Sequence, residues 1–135
     1  MMKLYNTRTN RIEEFTPLSE DKIGVYTCGP TVYNKAHIGN LRTFFWSDFI
    51  VGTLEYLYPG KVEAIMNITD IDDKILSRLP EQTLESLLEF TQKYNSKFFD
   101  DLKHLAITRY HNNYHLETDN IQQIDELITK LNQHG

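Results

Sequence analysis

The chain has 135 residues, which is enough for one domain with a real core and too few for several. Its 14 Lys and Arg against 19 Asp and Glu give a net charge of −5. Such a charge disfavours binding of a nucleic acid, because contacts of basic residues with phosphates supply most nucleic-acid affinity. A single cysteine excludes an internal disulfide, and no apolar run reaches the roughly 18 residues of a membrane span. The first residues lack the apolar core of a signal peptide, so we expect a soluble cytoplasmic protein with no membrane partner.

Two strand-like stretches open the chain, and a third follows after a polar connector. Residues 3–7 and 11–15 flank Thr9-Asn10, a turn-forming pair, and together they predict a small β hairpin. Residues 23–28 are rich in β-branched and aromatic side chains, which favour a pleated, buried strand. We therefore expect the main sheet to begin with this third stretch.

A helix and a second sheet strand come next. Apolar residues at helical spacing start at Leu41 and stop before Pro59-Gly60, a pair that ends helices. Residues 62–68 (VEAIMNI) are apolar and bounded by turn residues, so they predict a strand. A strand, a helix and a strand of this length form a βαβ unit, whose two strands lie parallel because the crossover is right-handed.

The second half of the chain is predicted to be mostly helical. Residues 74–79 form a short helix closed by Pro80, and residues 84–105 carry an apolar face at helical spacing. The polar segment TRYHNNYHLET is predicted to be a loop, and residues 121–135 a final helix. We thus expect an α/β fold: the first βαβ half of a parallel sheet, preceded by a short N-terminal β hairpin and followed by helices.

The turn between the first sheet strand and its helix has the chemistry of a phosphate site. Backbone N–H groups point outward at a helix N-terminus, and the helix dipole adds partial positive charge there. Gly39 permits close approach of a ligand to the backbone, and the flanking His37 and Asn40 can donate hydrogen bonds to an oxyanion. The same pattern also occurs in ordinary βα turns, so taken alone it leaves that alternative open.

The particular residues of this segment favour a nucleotide site over an ordinary βα turn. The string YTCGPTVYNKAHIGN resembles the first motif of class I aminoacyl-tRNA synthetases, in the form found in cysteinyl-tRNA synthetases, where Cys-Gly-Pro-Thr-Val-Tyr precedes the HIGH motif. LYNT followed by EEF, and NITDIDDKI after the second strand, also resemble segments of that family. Asn40 stands where HIGH has its second histidine, which keeps a hydrogen-bond donor and loses a titratable group.

The resemblance implies a Rossmann-type catalytic domain and a cysteine–tRNA ligase of protein biosynthesis. ATP, with Mg²⁺, would activate L-cysteine to cysteinyl-adenylate before transfer to tRNA(Cys). Because these enzymes are much longer, residues 1–135 are expected to be the N-terminal part of the catalytic domain, with most tRNA contacts outside the chain. The family's KMSKS motif does not occur in the sequence, so the chain alone is expected to be a poor catalyst or none.

The same resemblance assigns roles to individual residues. The catalytic positions are His37 and Asn40, which would stabilise the negative charge that builds on the α-phosphate under attack by the cysteine carboxylate. No general base is needed, because that carboxylate is already ionised. The remaining assignments are ATP binding by Pro30, Thr31, His37, Ile38, Gly39 and Asn40, and cysteine binding by Cys28, Gly29 and Thr69.

Cys28, at the end of the predicted strand, has two interpretations. Ligands bind at the carboxyl ends of strands in an open α/β sheet, although most free cysteines are small buried core residues. By resemblance, Cys28 is a zinc ligand, and one zinc ion would take up the substrate thiolate and reject serine because zinc prefers sulfur. The other ligands would lie outside the chain, so we expect the chain alone to bind no zinc tightly.

Two further patterns have plainer explanations. His111 and His115 have a spacing that can hold a metal, but the asparagines between them indicate a solvated loop. Asp70 and Asp72 are good N-cap residues for the short helix that follows. An EF-hand is excluded, because the surrounding sequence lacks the required glycine and terminal glutamate.

Three alternatives stay open. A related family of cysteine ligases joins the adenylate to an amino-sugar, although its first motif departs further from Cys-Gly-Pro-Thr-Val-Tyr. A truncated relative could keep nucleotide affinity without catalysis, and an α/β fragment could have no activity of its own. A continuing reading frame with KMSKS and further Cys and His residues would support the ligase, and a stop codon would support the truncated forms.

Overall fold

Two sheets and four α-helices make up residues 2–134, which the structure, a computed structural model, describes. In chain order the elements are β1 (Lys3–Asn6), β2 (Arg11–Glu14), β3 (Ile23–Thr27), α1 (Ile38–Leu57), β4 (Val62–Ile68), α2 (Asp73–Leu76), α3 (Leu84–His104), β5 (Tyr114–Leu116) and α4 (Ile121–His134). A short 3₁₀ helix, Thr118–Asn120, joins β5 to α4. Every element expected from the sequence is present, with small differences at the ends.

The N-terminal hairpin is confirmed. Strands β1 and β2 pair antiparallel, with Lys3 opposite Glu14 and Asn6 opposite Arg11. The turn between them contains Asn10, whose φ of 55° lies in the left-handed region, and asparagine is one of the few residues that enters this region readily. Within residues 2–134 the hairpin is a sheet of its own and shares no strand pairing with the main sheet.

The main sheet has three parallel strands in the order β3-β4-β5. Ile23 lies opposite Val62 and Thr27 opposite Met66, so the predicted βαβ unit is confirmed with α1 as its crossover. The prediction of a loop over TRYHNNYHLET is wrong in its second half, where Tyr114–Leu116 pairs with the end of β4. Strand β5 has only three residues, which is too short for alternation of polar and apolar residues to reveal a strand.

One face of this sheet forms the core. Alternate residues of β4, namely Ala64, Met66 and Ile68, are buried and belong to one apolar cluster with residues of α1 and α3. Phe44 of α1 and Phe98 of α3 meet edge to face in this cluster, with ring centroids 4.8 Å apart, a geometry that aromatic pairs prefer. Both long helices therefore pack on the same side of the sheet.

The opposite face of the sheet is open among the described residues. Tyr26 of β3 is 67% exposed, and Glu63 of β4 and His115 of β5 are also exposed. This face carries polar side chains at the strand ends, and those side chains become important at the functional site.

Part of the predicted apolar surface is not buried. Helix α1 buries only Phe44, Val51 and Leu54, while other members of its predicted apolar face are exposed. Those residues are Phe45, Phe49, Tyr56 and Leu57. The last helix was predicted correctly over Ile121–His134, and its predicted end at Gly135 lies outside the described residues. Its whole apolar stripe is exposed, and none of the residues in Ile121–His134 is buried.

Tyr110 ties the segment after α3 to the end of β3. The Tyr110 hydroxyl is fully buried and lies 2.8 Å from Ser47 Oγ of α1 and 3.1 Å from Thr27 Oγ1, which is itself 2.6 Å from Ser47 Oγ. The neighbouring Arg109 donates to Asp48 Oδ1 over 2.5 Å and to a Glu55 carboxylate oxygen over 3.0 Å. These contacts place β5 beside β4, because they hold the segment before it against α1.

Candidate active site at the carboxyl edge of the sheet

A cleft of about 470 Å³ opens where β3 ends and the chain crosses to α1. The residues that line it come from the crossing segment, from α1, from Lys74 of α2 and from the inner face of α3. Six of the predicted site residues line this cleft: Cys28, Gly29, Pro30, Thr31, His37 and Asn40. Ile38 and Gly39 lie at the start of α1 beside it, and Thr69 does not line it.

Backbone pairing continues beyond the two strands and fixes the cleft wall. Thr31 forms an isolated parallel bridge with Thr69, in which Thr69 N donates to Pro30 O over 3.1 Å and Val32 N donates to Thr69 O over 3.0 Å. Val32 is 2% exposed and packs in the core. Cys28 and Thr69 therefore follow adjacent parallel strands at the same edge of the sheet, where ligands of open α/β sheets bind.

His37 is the N-cap of α1, and its ring is held against the helix start. Its Nδ1 accepts hydrogen bonds from Gly39 N at 3.1 Å and Asn40 N at 3.3 Å. Asn40 completes a capping box, because its Oδ1 accepts from His37 N at 3.1 Å. A nitrogen that accepts two hydrogen bonds carries no proton, so the ring proton lies on Nε2. Nε2–H is therefore the ring donor left for a ligand in the cleft.

The sequence H-I-G-N explains this arrangement. A Cβ on Gly39 would lie 3.0 Å from both Cε1 and Nδ1 of His37, tighter than most carbon contacts, so glycine lets the ring stay in place without a shift. We expected this glycine to admit a ligand, and it also admits the histidine. Helix α1 begins at Ile38, three residues before the apolar pattern at Leu41, because the capping box extends the helix toward its N-terminus.

Gly29 lies against the end of β4. A Cβ on Gly29 would lie 1.6 Å from the backbone oxygen of Asn67, so no other residue fits there without moving the backbone. Gly29 N donates to Asn67 Oδ1 over 3.0 Å. The peptide that follows Cys28 is thus held by both the main chain and the side chain of Asn67.

Asn67 belongs to a polar network that the sequence did not reveal. Its Oδ1 also accepts from the Tyr26 hydroxyl over 2.8 Å, and its Nδ2 donates to Thr69 Oγ1 over 3.3 Å and to Glu117 Oε1 over 3.1 Å. The Thr69 hydroxyl donates to the same Glu117 oxygen over 2.7 Å. Asn67 sits within the predicted strand, where alternation along β4 places it on the open face, but Glu117 could be placed only by recognising β5.

Cys28 is exposed, and within residues 2–134 its thiol makes one hydrogen bond, a long one of 3.9 Å to Gly29 O. It is therefore not the buried core residue of the plainer interpretation. Across residues 2–134, no group of three or more His, Cys, Asp and Glu side chains is arranged to hold a metal ion. A protein zinc site needs at least three protein ligands, so these residues do not fit a zinc site by themselves and offer one cysteine sulfur, that of Cys28.

The rim of the cleft carries positive charge despite the negative total. Lys35 and Lys74 line it, and Arg78 donates to Tyr33 O over 3.1 Å with its guanidinium 4.6 Å from the Tyr33 ring centroid. The ammonium of Lys74 lies 5.8 Å from the same ring. These cationic contacts with one aromatic ring place positive charge near the helix N-terminus, where an anionic ligand is favoured.

The two aspartates after β4 differ in role. Asp72 is the N-cap of α2 and accepts from Lys74 N over 2.8 Å, as predicted. The prediction for Asp70 is wrong, since its side chain is 1% exposed and accepts from Thr118 N over 2.9 Å and from the Thr118 hydroxyl. A buried carboxylate needs such donors, and the start of the 3₁₀ helix supplies them.

The two histidines after α3 share no metal site in the described part of the chain. His115 lies on β5 and is exposed, whereas the ring of His111 packs 5.3 Å from that of Phe99. His111 lies in the turn before β5, so the predicted loop is correct for His111 and wrong for His115.

Among residues 2–134, no helix combines the length and the apolar character needed to cross a membrane.

Comparison with known proteins accounts for this combination of fold and motif. A family model described as tRNA synthetases class I (C) catalytic domain matches residues 14–135. The cysteine–tRNA ligase of Methanosarcina mazei is 47% identical over 135 residues, covering 100% of this chain and 28% of the relative. The ligase of the same name from Clostridioides difficile is 46% identical, and that from Leptospira interrogans is 42% identical, each over 99% of this chain and 28% of the relative.

The chain thus spans about 28% of the length of the relatives it matches. The match covers both the βαβ unit and the segment with Cys28 and His37. The chain belongs to the family of class I (C) tRNA synthetase catalytic domains.

Proposed function

We propose that the full-length protein carrying this chain is a cysteine–tRNA ligase, and that the chain is the N-terminal part of its catalytic domain. The protein would use ATP, with Mg²⁺, to convert L-cysteine to cysteinyl-adenylate and then charge tRNA(Cys). One observation carries the proposal: the thiol of Cys28 and the ring of His37 border the same cleft at the carboxyl edge of the sheet. The names of the relatives supply the substrate class.

The helix side of the cleft suits ATP. Attack of a carboxylate on the α-phosphate increases negative charge there, and fixed donors stabilise that charge without reorganising. His37 presents Nε2–H because its Nδ1 is occupied by the helix cap. Asn40 uses Oδ1 in the same cap and keeps Nδ2 as a donor, so replacing the second histidine of HIGH retains a donor at this position.

The strand side of the cleft suits cysteine. We propose that Cys28 is one ligand of a zinc ion whose other ligands come from outside this chain, and that the ion binds the substrate sulfur in preference to a hydroxyl. Gly29 and Thr69 would complete the chain's share of the cysteine site. With a net charge of −5, the chain is a poor polyanion binder, so most tRNA contacts would lie elsewhere in the protein.

The first step can be tested by pyrophosphate exchange. We expect the full-length protein to incorporate labelled pyrophosphate into ATP when cysteine is added, with serine supporting at least about a hundredfold less exchange. The same assay without amino acid gives the background. Exchange that never rises above this background would rule out cysteine activation, and exchange that is equal for cysteine and serine would rule out cysteine as the preferred substrate.

A further inference from the structure

A network of hydrogen-bonded side chains lies next to the cleft, at the carboxyl ends of the sheet strands, and contacts the backbone of its wall. The carboxamide of Asn67 uses all of its hydrogen-bonding capacity. Its oxygen accepts from Gly29 N at 3.0 Å and from the Tyr26 hydroxyl at 2.8 Å, and its amino group donates to Thr69 Oγ1 at 3.3 Å and to Glu117 Oε1 at 3.1 Å. One side chain therefore joins the carboxyl ends of all three strands of the main sheet.

Glu117 and the Gly29 N–H together fix the orientation of the Asn67 carboxamide. An ionised carboxylate can only accept, so the Thr69 hydroxyl and the Asn67 amino group must both donate to it. The carboxamide oxygen then faces Gly29 N. A flipped carboxamide would set its amino group against the N–H of Gly29 and its oxygen against the carboxylate. Glu117 is itself fixed, because its backbone N donates to Ile68 O over 3.1 Å.

The network reaches the proposed cysteine site without forming its surface. Asn67 and Glu117 do not line the cleft, whereas Cys28 and Gly29 do. Loss of the Asn67 side chain would remove the acceptor of Gly29 N and leave the peptide after Cys28 to move. The helix side, with His37 at the N-cap of α1, has its own hydrogen bonds and does not depend on Asn67.

We propose that Asn67, oriented by Glu117, is a positioning residue that fixes Cys28-Gly29 and the Thr69 hydroxyl for cysteine binding. This inference rests on the proposed function. The network would affect the binding of cysteine and not of ATP, because the cysteine side of the cleft depends on the hydrogen bonds of Asn67 and the ATP side does not.

The test compares two substitutions of Asn67 in the full-length protein by cysteine-dependent pyrophosphate exchange. We expect Asn67→Ala to raise KM for cysteine about tenfold or more, since a tenfold change equals roughly 1.4 kcal/mol, and to change KM for ATP less than about twofold. Asn67→Asp keeps an acceptor for Gly29 N but places a second carboxylate against Glu117. We expect it to raise KM for cysteine at least as much as Asn67→Ala does, because like charges repel at this distance.

A matched pair of glutamate variants provides the control. Glu117→Ala should raise KM for cysteine, and Glu117→Gln, which retains an acceptor oxygen, should recover part of that loss. Glu63 lies on the same open face of the sheet but at the other end of β4, where it pairs with Lys22. Glu63→Gln should therefore leave KM for cysteine and KM for ATP unchanged. Equal increases in KM for cysteine and ATP, or a normal KM for cysteine in Asn67→Ala, would overturn the inference.

Hydrogen exchange separates this inference from the proposed function. If the unmodified protein shows no cysteine-dependent exchange of pyrophosphate, the proposed function fails, and the assignment of the network to cysteine binding fails with it. If pyrophosphate exchange by the unmodified protein is normal, the amide hydrogen of Gly29 should exchange with solvent about tenfold faster in Asn67→Ala than in the unmodified protein. An unchanged Gly29 amide would overturn the positioning role while leaving the proposed function standing.

Discussion

Replacing His37 by alanine is expected to lower the rate of cysteinyl-adenylate formation by the full-length protein about 10²–10³-fold, with a smaller effect on KM for cysteine. The loss of one fixed donor to a developing charge typically has this size. In the structure the donor is Nε2–H, because Nδ1 accepts from the backbone at the start of α1. Single-turnover measurement of adenylate formation at saturating cysteine gives the rate directly.

His37→Ala also removes a helix cap, which alone costs about 1 kcal/mol of stability. His37→Asn separates the two effects, because asparagine is a good N-cap residue but has no ring nitrogen to reach the phosphate. We expect His37→Asn to recover the stability of α1 in a denaturant titration and not the rate. A rate restored by His37→Asn would mean that His37 acts only as a cap, and its catalytic assignment would be wrong.

Replacing Cys28 by serine is expected to remove most of the bound zinc from the full-length protein and to raise KM for cysteine at least about tenfold. A hydroxyl is a poor substitute for thiolate at zinc, and loss of the ion would remove the group that holds the substrate sulfur. The fold should be unaffected, because Cys28 is exposed and the one hydrogen bond of its thiol among residues 2–134 is a long one of 3.9 Å to Gly29 O. Metal analysis beside pyrophosphate exchange at varied cysteine concentrations measures both quantities.

The His37 and Cys28 variants are controls for each other. Loss of the His37 ring should lower the rate of adenylate formation and leave the zinc content normal. Loss of the Cys28 thiol should lower the zinc content and the affinity for cysteine. Full zinc occupancy together with a normal KM for cysteine in Cys28→Ser would contradict the metal role assigned to Cys28.

The parts of the fold that the sequence predicted are those with strong local patterns. Strand β4 was predicted over its full length, because VEAIMNI is a mostly apolar stretch bounded by turn residues. Strand β5 was missed, since three residues cannot display a period and its pairing with β4 is a contact between distant parts of the chain. The exposed faces of α1 and α4 could not be foreseen either, because an apolar pattern does not state which partner covers it.

The candidate site divides in the same way. Cys28 and His37 were found because a contiguous motif contains them, and the structure brings both to one cleft. Asn67 and Glu117 are 50 residues apart in sequence and meet only when β5 pairs with β4. Asp70 was assigned to the nearest helix, although its side chain turns to Thr118 instead. Local spacing predicts caps and motifs, and it cannot predict side-chain networks that cross strands.

Charging of tRNA distinguishes a cysteine–tRNA ligase from an amino-sugar ligase, because an amino-sugar ligase would also activate cysteine and pass the exchange assay. The full-length protein would be incubated with ATP, labelled cysteine and either a tRNA(Cys) transcript or an amino-sugar acceptor. We predict that the label becomes attached to the tRNA through an ester that mild alkali releases, with no amino-sugar product. Formation of the amino-sugar product with uncharged tRNA, in a protein that carries out cysteine-dependent exchange of pyrophosphate, would show that the protein is not a cysteine–tRNA ligase.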